Sequence, residues 1–358
     1  MTTIYTDSLG TDERRRQKLY GGDLFVGAPR PSTLALVDFA RELLEDAFGG
    51  LDPVHAQFEL PVERFVEIFG PVKPRFIHHP KTKDLLRAVV EELGADLDET
   101  YIDVPRLRGA TSDGYLTAGV GYAFPHHRDV WWSAPLAQIN WWIPIFDFES
   151  ESSMAFHPHY WDKGLSNGSE EFNYYEYNAV GRAQASKHIG KDTRKQPGPR
   201  EAVEPGPEIR IVCPVGGIVG FSAAQMHSTV PNTSGRTRFS IDFRTVNLAD
   251  LIAGRSAPNV DSYCEGTSLR DFRRGRDGAA MPDEVVAQYD SGEVPEGAVL
   301  VFQPDPAVVA AAAGGTDSAS AADADALAEA AEAVEAAGVG TAVPATTADS
   351  RDLAGSGV

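Results

Sequence analysis

The stretch Pro125-His126-His127-Arg128-Asp129-Val130-Trp131-Trp132 decides how this chain is read. His127 and Asp129 stand two positions apart. On an extended strand, residues i and i+2 point to one face, so an imidazole and a carboxylate would converge there. Such a pair supplies two of the three ligands of a facial 2-His-1-carboxylate site. That arrangement suits non-haem Fe(II) and leaves coordination positions open. The triplet alone is a weak signal, and a surface ion pair is its bland reading. The flanks favour a site: Pro125 precedes it, and Trp131-Trp132 and a long apolar run follow. The third ligand must come from far along the chain. His227, in Gln225-Met226-His227-Ser228-Thr229-Val230-Pro231-Asn232, is the best candidate.

Arg238 follows His227 by eleven positions and opens an alternating run to Val246. Arg238 and Ser240 share a strand face. A guanidinium and a hydroxyl could there hold a carboxylate together.

With these pieces assembled, the chain resembles the Fe(II)/2-oxoglutarate-dependent oxygenases, in particular their phytanoyl-CoA-dioxygenase-like branch. The matching residues are His127-Arg128-Asp129, the stretch His227 to Arg238, and Arg238-Phe239-Ser240, within residues 99–247. The resemblance implies a double-stranded β-helix (jelly roll, cupin-like). It implies that His127, Asp129 and His227 are the catalytic metal ligands for Fe(II). It further implies that Arg238 and Ser240 bind the far carboxylate of 2-oxoglutarate, and that Thr229 donates to the near one. Asn140 and Trp142 stand on the strand where the family places a cofactor-pocket residue. O2 would be the co-substrate, and succinate and CO2 would leave. Hydroxylation is the simplest outcome; desaturation, cyclisation and epimerisation use the same iron site. Asp129 stands where iron halogenases of this fold carry a small residue, so oxygen rather than halide should be delivered. Relatives of this branch modify small metabolites, antibiotic intermediates among them, so the expected substrate is a small polar metabolite of that kind. Two rivals stay open: a jelly-roll metalloenzyme that works without 2-oxoglutarate, and a non-catalytic binding protein with this fold.

Composition narrows the partners. The 358 residues carry 32 Lys and Arg against 52 Asp and Glu, a net charge of −20. That argues against nucleic acid and against an anionic membrane surface as partners, and leaves a small-molecule substrate. Two cysteines, Cys213 and Cys264, are too few for a disulfide framework, so a reducing cytoplasm is the expected setting. The first residues lack the basic and apolar regions of a signal peptide, and no apolar run of about 18 residues occurs.

In chain order, residues 1–30 read as an extended arm or a short helix. Helices follow: one capped by Ser32 and stopped by Gly49-Gly50, one from Pro61 to Phe69 ended by Gly70-Pro71, and one from Thr82 to Leu93. His78-His79 is not expected to bind metal, because adjacent loop residues point apart. These elements form an N-terminal region, 1–98, packed on the core. From Tyr101 the period shortens to that of strands. They are expected at Tyr101–Val104, Tyr115–Val120, Leu136–Phe148, Ser153–His157, Ile209–Cys213, Gly217–Phe221 and Thr237–Val246. The fold class is therefore mainly β with flanking helices (α+β), with a core over 99–247. In Gln138 to Phe146, Ile139, Trp141, Ile143 and Ile145 should face the helices, and Gln138, Asn140, Trp142 and Pro144 the cavity. His157 and His159 are expected at the pocket rim or in structural roles, and Cys213 in the core.

Residues 162–206 form a long insertion, aromatic and acidic at first and basic through Lys187, His188, Lys191, Arg194 and Lys195. It is expected to be a substrate lid. A C-terminal extension, 248–306, carries a helix near Leu248–Ala253 and a last element at Ala298–Phe302. Residues 307–358 hold eight acidic residues and one Arg among Ala, Gly, Ser and Thr, which predicts a disordered tail.

Overall fold

The computed structural model describes residues 1–7, 10–181, 197–204 and 206–314. The basic part of the insertion and the tail beyond 314 lie outside these residues. The strands are β1 (Ile4–Thr6), β2 (Leu24–Gly27), β3 (Thr100–Ile102), β4 (Arg106–Ala110), β5 (Ile139–Pro144), β6 (Met154–Phe156), β7 (Ile209–Arg210), β8 (Ile218–Ser222), β9 (His227–Thr229), β10 (Arg238–Asn247) and β11 (Arg273–Arg274). The helices are α1 (Asp12–Tyr20), α2 (Pro31–Phe48), α3 (Val62–His78), α4 (Pro80–Glu92), α5 (Tyr174–Glu176), α6 (Leu248–Ile252), α7 (Asp283–Val286) and α8 (Pro306–Gly314).

Eight strands form one sheet in the order β1-β2-β8-β5-β10-β3-β11, with β4 also paired to β10. Three form a second sheet, β7-β6-β9. Neither sheet closes on itself. The long strand β10 is the centre of the large sheet: β5 lies antiparallel on one side, and β3 and β4 share the other.

Alternation on these strands builds two layers. Ile139, Trp141, Ile143, Phe239, Ile241 and Phe243 join one core cluster with residues of α2, α3 and α4. Trp142, Val219 and Phe221 turn the other way and pack with Phe156, Ile211 and Cys213 between the sheets. The face assignment read from Gln138–Phe146 therefore holds. Gly109 lets α3 approach: a Cβ there would come within 2.9 Å of the Phe69 ring.

Several local expectations are corrected. Helix α2 starts with Pro31 at its first position and Arg30 as N-cap, because proline's fixed φ suits the first turn. Ser32 instead bonds Glu92, tying α2 to α4. Helix α3 does not stop at Phe69 but runs through Pro71 and Pro74 to His78. Its buried stripe Phe65, Phe69, Val72 and Phe76 packs on the core, and that burial outweighs the lost backbone bonds. Residues 115–120 are not a strand. Gly114 and Gly119 adopt φ of 71° and 79°, and Asp113 adopts 56°, which coil the chain. The run Ile209–Cys213 pairs only at Ile209–Arg210, short of Pro214. Ala298–Phe302 is irregular; Val299 N–H donates to the Tyr175 carbonyl rather than to a strand. Residues 1–30 contain both a helix and two strands of the large sheet. The tail's first residues are ordered as α8, which packs on α3 with Val308 and Ala312 buried.

No helix among the described residues is long and apolar enough to cross a membrane.

Candidate metal centre

His127 and His227 are paired through their backbones. Each N–H donates to the other's carbonyl at 2.9 Å. This bridge sets the two imidazoles side by side, with ring centroids 4.1 Å apart. His127 Nδ1 is 2.7 Å from the Pro125 carbonyl, and His227 Nδ1 is 3.0 Å from the Gln225 carbonyl. Those contacts place the proton on Nδ1 of each ring and leave each Nε2 as a free electron pair.

Asp129 reaches the same point differently from the expectation. It does not sit on a strand but begins a 3-10 turn over Asp129–Trp132. Arg128, between it and His127, is extended (φ −118°, ψ 137°), which keeps their side chains on one side. The Arg128 side chain points the other way into the core and is 1% exposed. Its guanidinium bonds Asp261 and the carbonyls of Ala224, Tyr160 and Lys163. Trp131 Nε1 donates to the same Asp261 at 2.8 Å. Five buried contacts thus fix the loop that carries the carboxylate.

Asp129 Oδ1 lies 3.4 Å from His127 Nε2 and 3.9 Å from His227 Nε2. One ligand atom from each of the three lies within 4.8 Å of the others, the only such cluster among the described residues. Burial works to raise the Asp129 carboxyl. Arg244 and the two neighbouring imidazoles outweigh it and hold the group well below the usual range. Burial, and then the neighbouring His127, bring His227 down to about 3. The centre is thus set as a carboxylate and a neutral His227 at neutral pH, a donor set that suits a divalent cation.

Sequence reading missed Arg244. It lies on the cavity face of β10 with Arg238, Ser240 and Asp242, and the period-2 pattern carried that signal. Its Nε donates to Asp129 Oδ2 at 3.2 Å, and it also pairs with Asp103 and Asp242. Burial disfavours its charge, but Asp129, Asp242 and Asp103 raise its pKa above the ordinary value. Gln138 Nε2 lies 3.4 Å from Asp129 Oδ2 and donates to Asn140 Oδ1 at 2.8 Å.

Arg238 is buried with neither Nε nor Nη1 partnered, and the Ser240 hydroxyl beside it is also buried without a partner. The guanidinium sits over the Trp142 ring, 5.4 Å from its centroid. Burial pushes it down to about 10. A buried, unpaired guanidinium is costly unless something fills the gap. A carboxylate fits it. Thr229 lies two residues past His227 on β9, and it lines the same cavity as Asn140 and Trp142.

That cavity measures about 970 Å³. Its lining includes Trp141 and Phe243 from the outer face, so only part of the volume faces the triad. Tyr174 and Tyr177, from the start of the insertion, form part of the wall. His157 and His159 do not line it. His157 instead contacts the Ser228 hydroxyl at 3.2 Å and the His126 ring. His79 caps α4 by accepting from Lys81 N–H. Cys213 is buried, and burial pushes its thiol up to about 12.

No protein-family model matches the sequence, and no curated protein matches it. Several solved structures align with parts of the chain. EvdO2 from Micromonospora carbonacea var. aurantiaca, complexed with 2-oxoglutarate, aligns at 12% identity and TM-score 0.37, over 67% of this chain and 92% of its own. The epimerase SnoN, in complex with Fe3+, alpha ketoglutarate and nogalamycin RO, aligns at 14% and 0.33, over 66% and 85%. AviO1 from Streptomyces viridochromogenes Tue57 aligns at 15% and 0.34, over 70% and 98%. At these values the likeness is loose, and the site is read from its own geometry.

Proposed function

We propose that the protein is a non-haem Fe(II)/2-oxoglutarate-dependent oxygenase of the phytanoyl-CoA-dioxygenase-like branch, built on a double-stranded β-helix over 99–247. In this reading it hydroxylates a small metabolite, such as a natural-product intermediate, in the cytoplasm. One observation carries the reading. A His-Asp-His cluster with both Nε2 atoms free shares a cavity with a buried, unpartnered Arg238–Ser240 pair. The metal cluster alone would suit many chemistries. An anion receptor in the same cavity is what a bound 2-oxo acid requires.

His127, Asp129 and His227 would hold the iron. Arg238, with Ser240, would take the far carboxylate of 2-oxoglutarate, and Thr229 would donate to the near one. When bound, this pair supplies oxidation of an unactivated C–H bond by O2, coupled to decarboxylation to succinate. The chain's own part is placement. Arg244 and Gln138 hold Asp129 Oδ2, so that Oδ1 faces the two imidazoles. Trp142 and Phe221 wall the inner end with apolar surface, which keeps water away from it. The start of the insertion brings Tyr174 and Tyr177 to the cavity wall. Asp129 supplies a carboxylate, leaving no vacancy for halide in its place.

The reading is tested by coupled binding. Equilibrium dialysis should find 2-oxoglutarate retained only with a divalent metal present, and lost in Arg238→Met. Retention without metal, or unchanged retention in that variant, would sink the reading.

A further inference from the structure

The cavity has a sign that the whole chain does not. The inner face of β4 and β10 carries Arg106, Arg108, Arg238 and Arg244 against Asp242, with Asp103 and Asp129 beside it, an excess of one positive charge in a protein of net charge −20. A divalent metal and a dianionic cosubstrate cancel, so loading them leaves that excess in place. A concave site lined by one sign of charge focuses its field and concentrates ligands of the opposite sign. On the cavity face of the large sheet, the side chain of Arg108 is 43% exposed, against 21% for Arg106 and 18% for Arg244. Arg108 donates to Asp242 through Nε at 2.7 Å and Nη2 at 3.4 Å, which leaves Nη1 for a ligand.

The other wall is aromatic. Phe124 and Trp132 stand beside the first imidazole, with centroids 4.6 and 5.4 Å from the His127 ring. Further rings continue from this pair on both sides. Tyr122 to Phe124 is 5.7 Å, Phe124 to Trp132 5.8 Å, Trp132 to Phe172 6.5 Å and Phe172 to Tyr177 5.4 Å. These spacings are those of mutually packed rings. Phe124, Trp132 and Tyr177 line the cavity and are only partly buried.

We propose that the substrate is an aromatic molecule carrying an anionic group, its ring against Phe124 and Trp132 and its charge toward Arg108. This rests on the oxygenase reading for what the iron does, but the binding site stands on its own lining. The row passes the triad at Phe124 and Trp132, so a ring held there would lie beside the metal site. An aromatic wall could also cage a cation; the excess of positive charge in the lining argues against one.

The test uses the full-length chain and three probes: 2-naphthoate, its saturated analogue decahydro-2-naphthoate, and 2-naphthylmethylammonium. Binding is followed by quenching of tryptophan emission and confirmed by equilibrium dialysis. The expected result is saturable binding of 2-naphthoate, at least fivefold tighter than either other probe. Trp132→Leu and Arg108→Met should each weaken it at least fivefold, while Trp132→Phe and Arg108→Lys keep most of it. The conservative pair guards against variants that merely misfold. Equal binding of the saturated acid would overturn the aromatic wall. Tighter binding of the ammonium probe would overturn the charge assignment. No saturable binding, or binding indifferent to both residues, would overturn the site. Metal and 2-oxoglutarate retention are measured on the same samples. Their absence would count against the oxygenase reading and leave the naphthoate result to stand or fall alone.

Discussion

Arg244 Nε lies 3.2 Å from Asp129 Oδ2, the oxygen other than the one nearest the two imidazoles. The contact divides the carboxylate. Oδ2 is held by the guanidinium, and Oδ1 is left for a metal. Partners behind a ligand fix its orientation, and their loss typically costs about 10–100-fold in metal affinity.

Arg244→Met is therefore expected to weaken Fe(II) affinity by that about 10–100-fold factor, with Arg244→Lys recovering part of it. Dialysis against a competing chelator measures this, with circular dichroism confirming the fold. Wild-type affinity in the Met variant would mean that Gln138 and the Arg128 anchor place Asp129 unaided.

Arg238 should show opposite effects on stability and on binding. Its Nε and Nη1 are buried without a partner, so Arg238→Met should raise the thermal midpoint measured without 2-oxoglutarate. The same change should weaken 2-oxoglutarate binding by about 10–100-fold, the worth of a charge-assisted contact at about 1.5–3 kcal/mol. A structural arginine would give destabilisation instead.

Much of this site was legible in the sequence, and the reasons are local. The period of β5 and β10 fixes which side chains share a face whatever the rest of the chain does, while His127 and Asp129 converge because Arg128 between them is extended. The convergence of His127 with His227 needed the long-range backbone bridge, which no local pattern encodes. Helix α3 was cut short because Gly70-Pro71 is a local stop signal that tertiary burial of Phe76 and Val72 overrides. Strand β4 was missed because Arg106, Arg108 and Gly109 look like loop residues. They are in fact cavity-facing charges and a close approach to Phe69. The role of Arg244 was hidden because its partners come from three separate stretches, at Asp103, Asp129 and Asp242.

His157 gives a pH signature. Burial, and then its neighbour His126, lower its pKa from 6.5 to about 4. The unfolded chain thus binds more protons than the folded one between those values. Stability should fall as pH drops through that window, with nothing lost above it. His157→Gln should flatten the acid limb of the stability curve. The limb should not vanish, because burial shifts His227 the same way. An unchanged acid limb would show that His157 is protonated in the folded protein.

Helix α8 makes the tail's start structural. A chain ending at residue 305 should melt lower than one ending at 314, because it loses the contact of Val308 and Ala312 with α3. Burial of one valine is worth about 1.5–3 kcal/mol, and each 1 kcal/mol moves the midpoint by about 2–4 °C in a large domain. Equal midpoints would mean that α8 adds nothing.

The central claim is that His127, Asp129 and His227 hold an iron that consumes 2-oxoglutarate. Succinate release under air, with Fe(II), ascorbate and 2-oxoglutarate, tests it most directly. The wild-type chain should release succinate and CO2 in equal amounts, even slowly and without substrate, and should stop when a chelator is added. His127→Ala and His227→Ala should release none while remaining folded. Release undiminished in both variants, or none from a wild-type chain carrying its metal, would contradict the account.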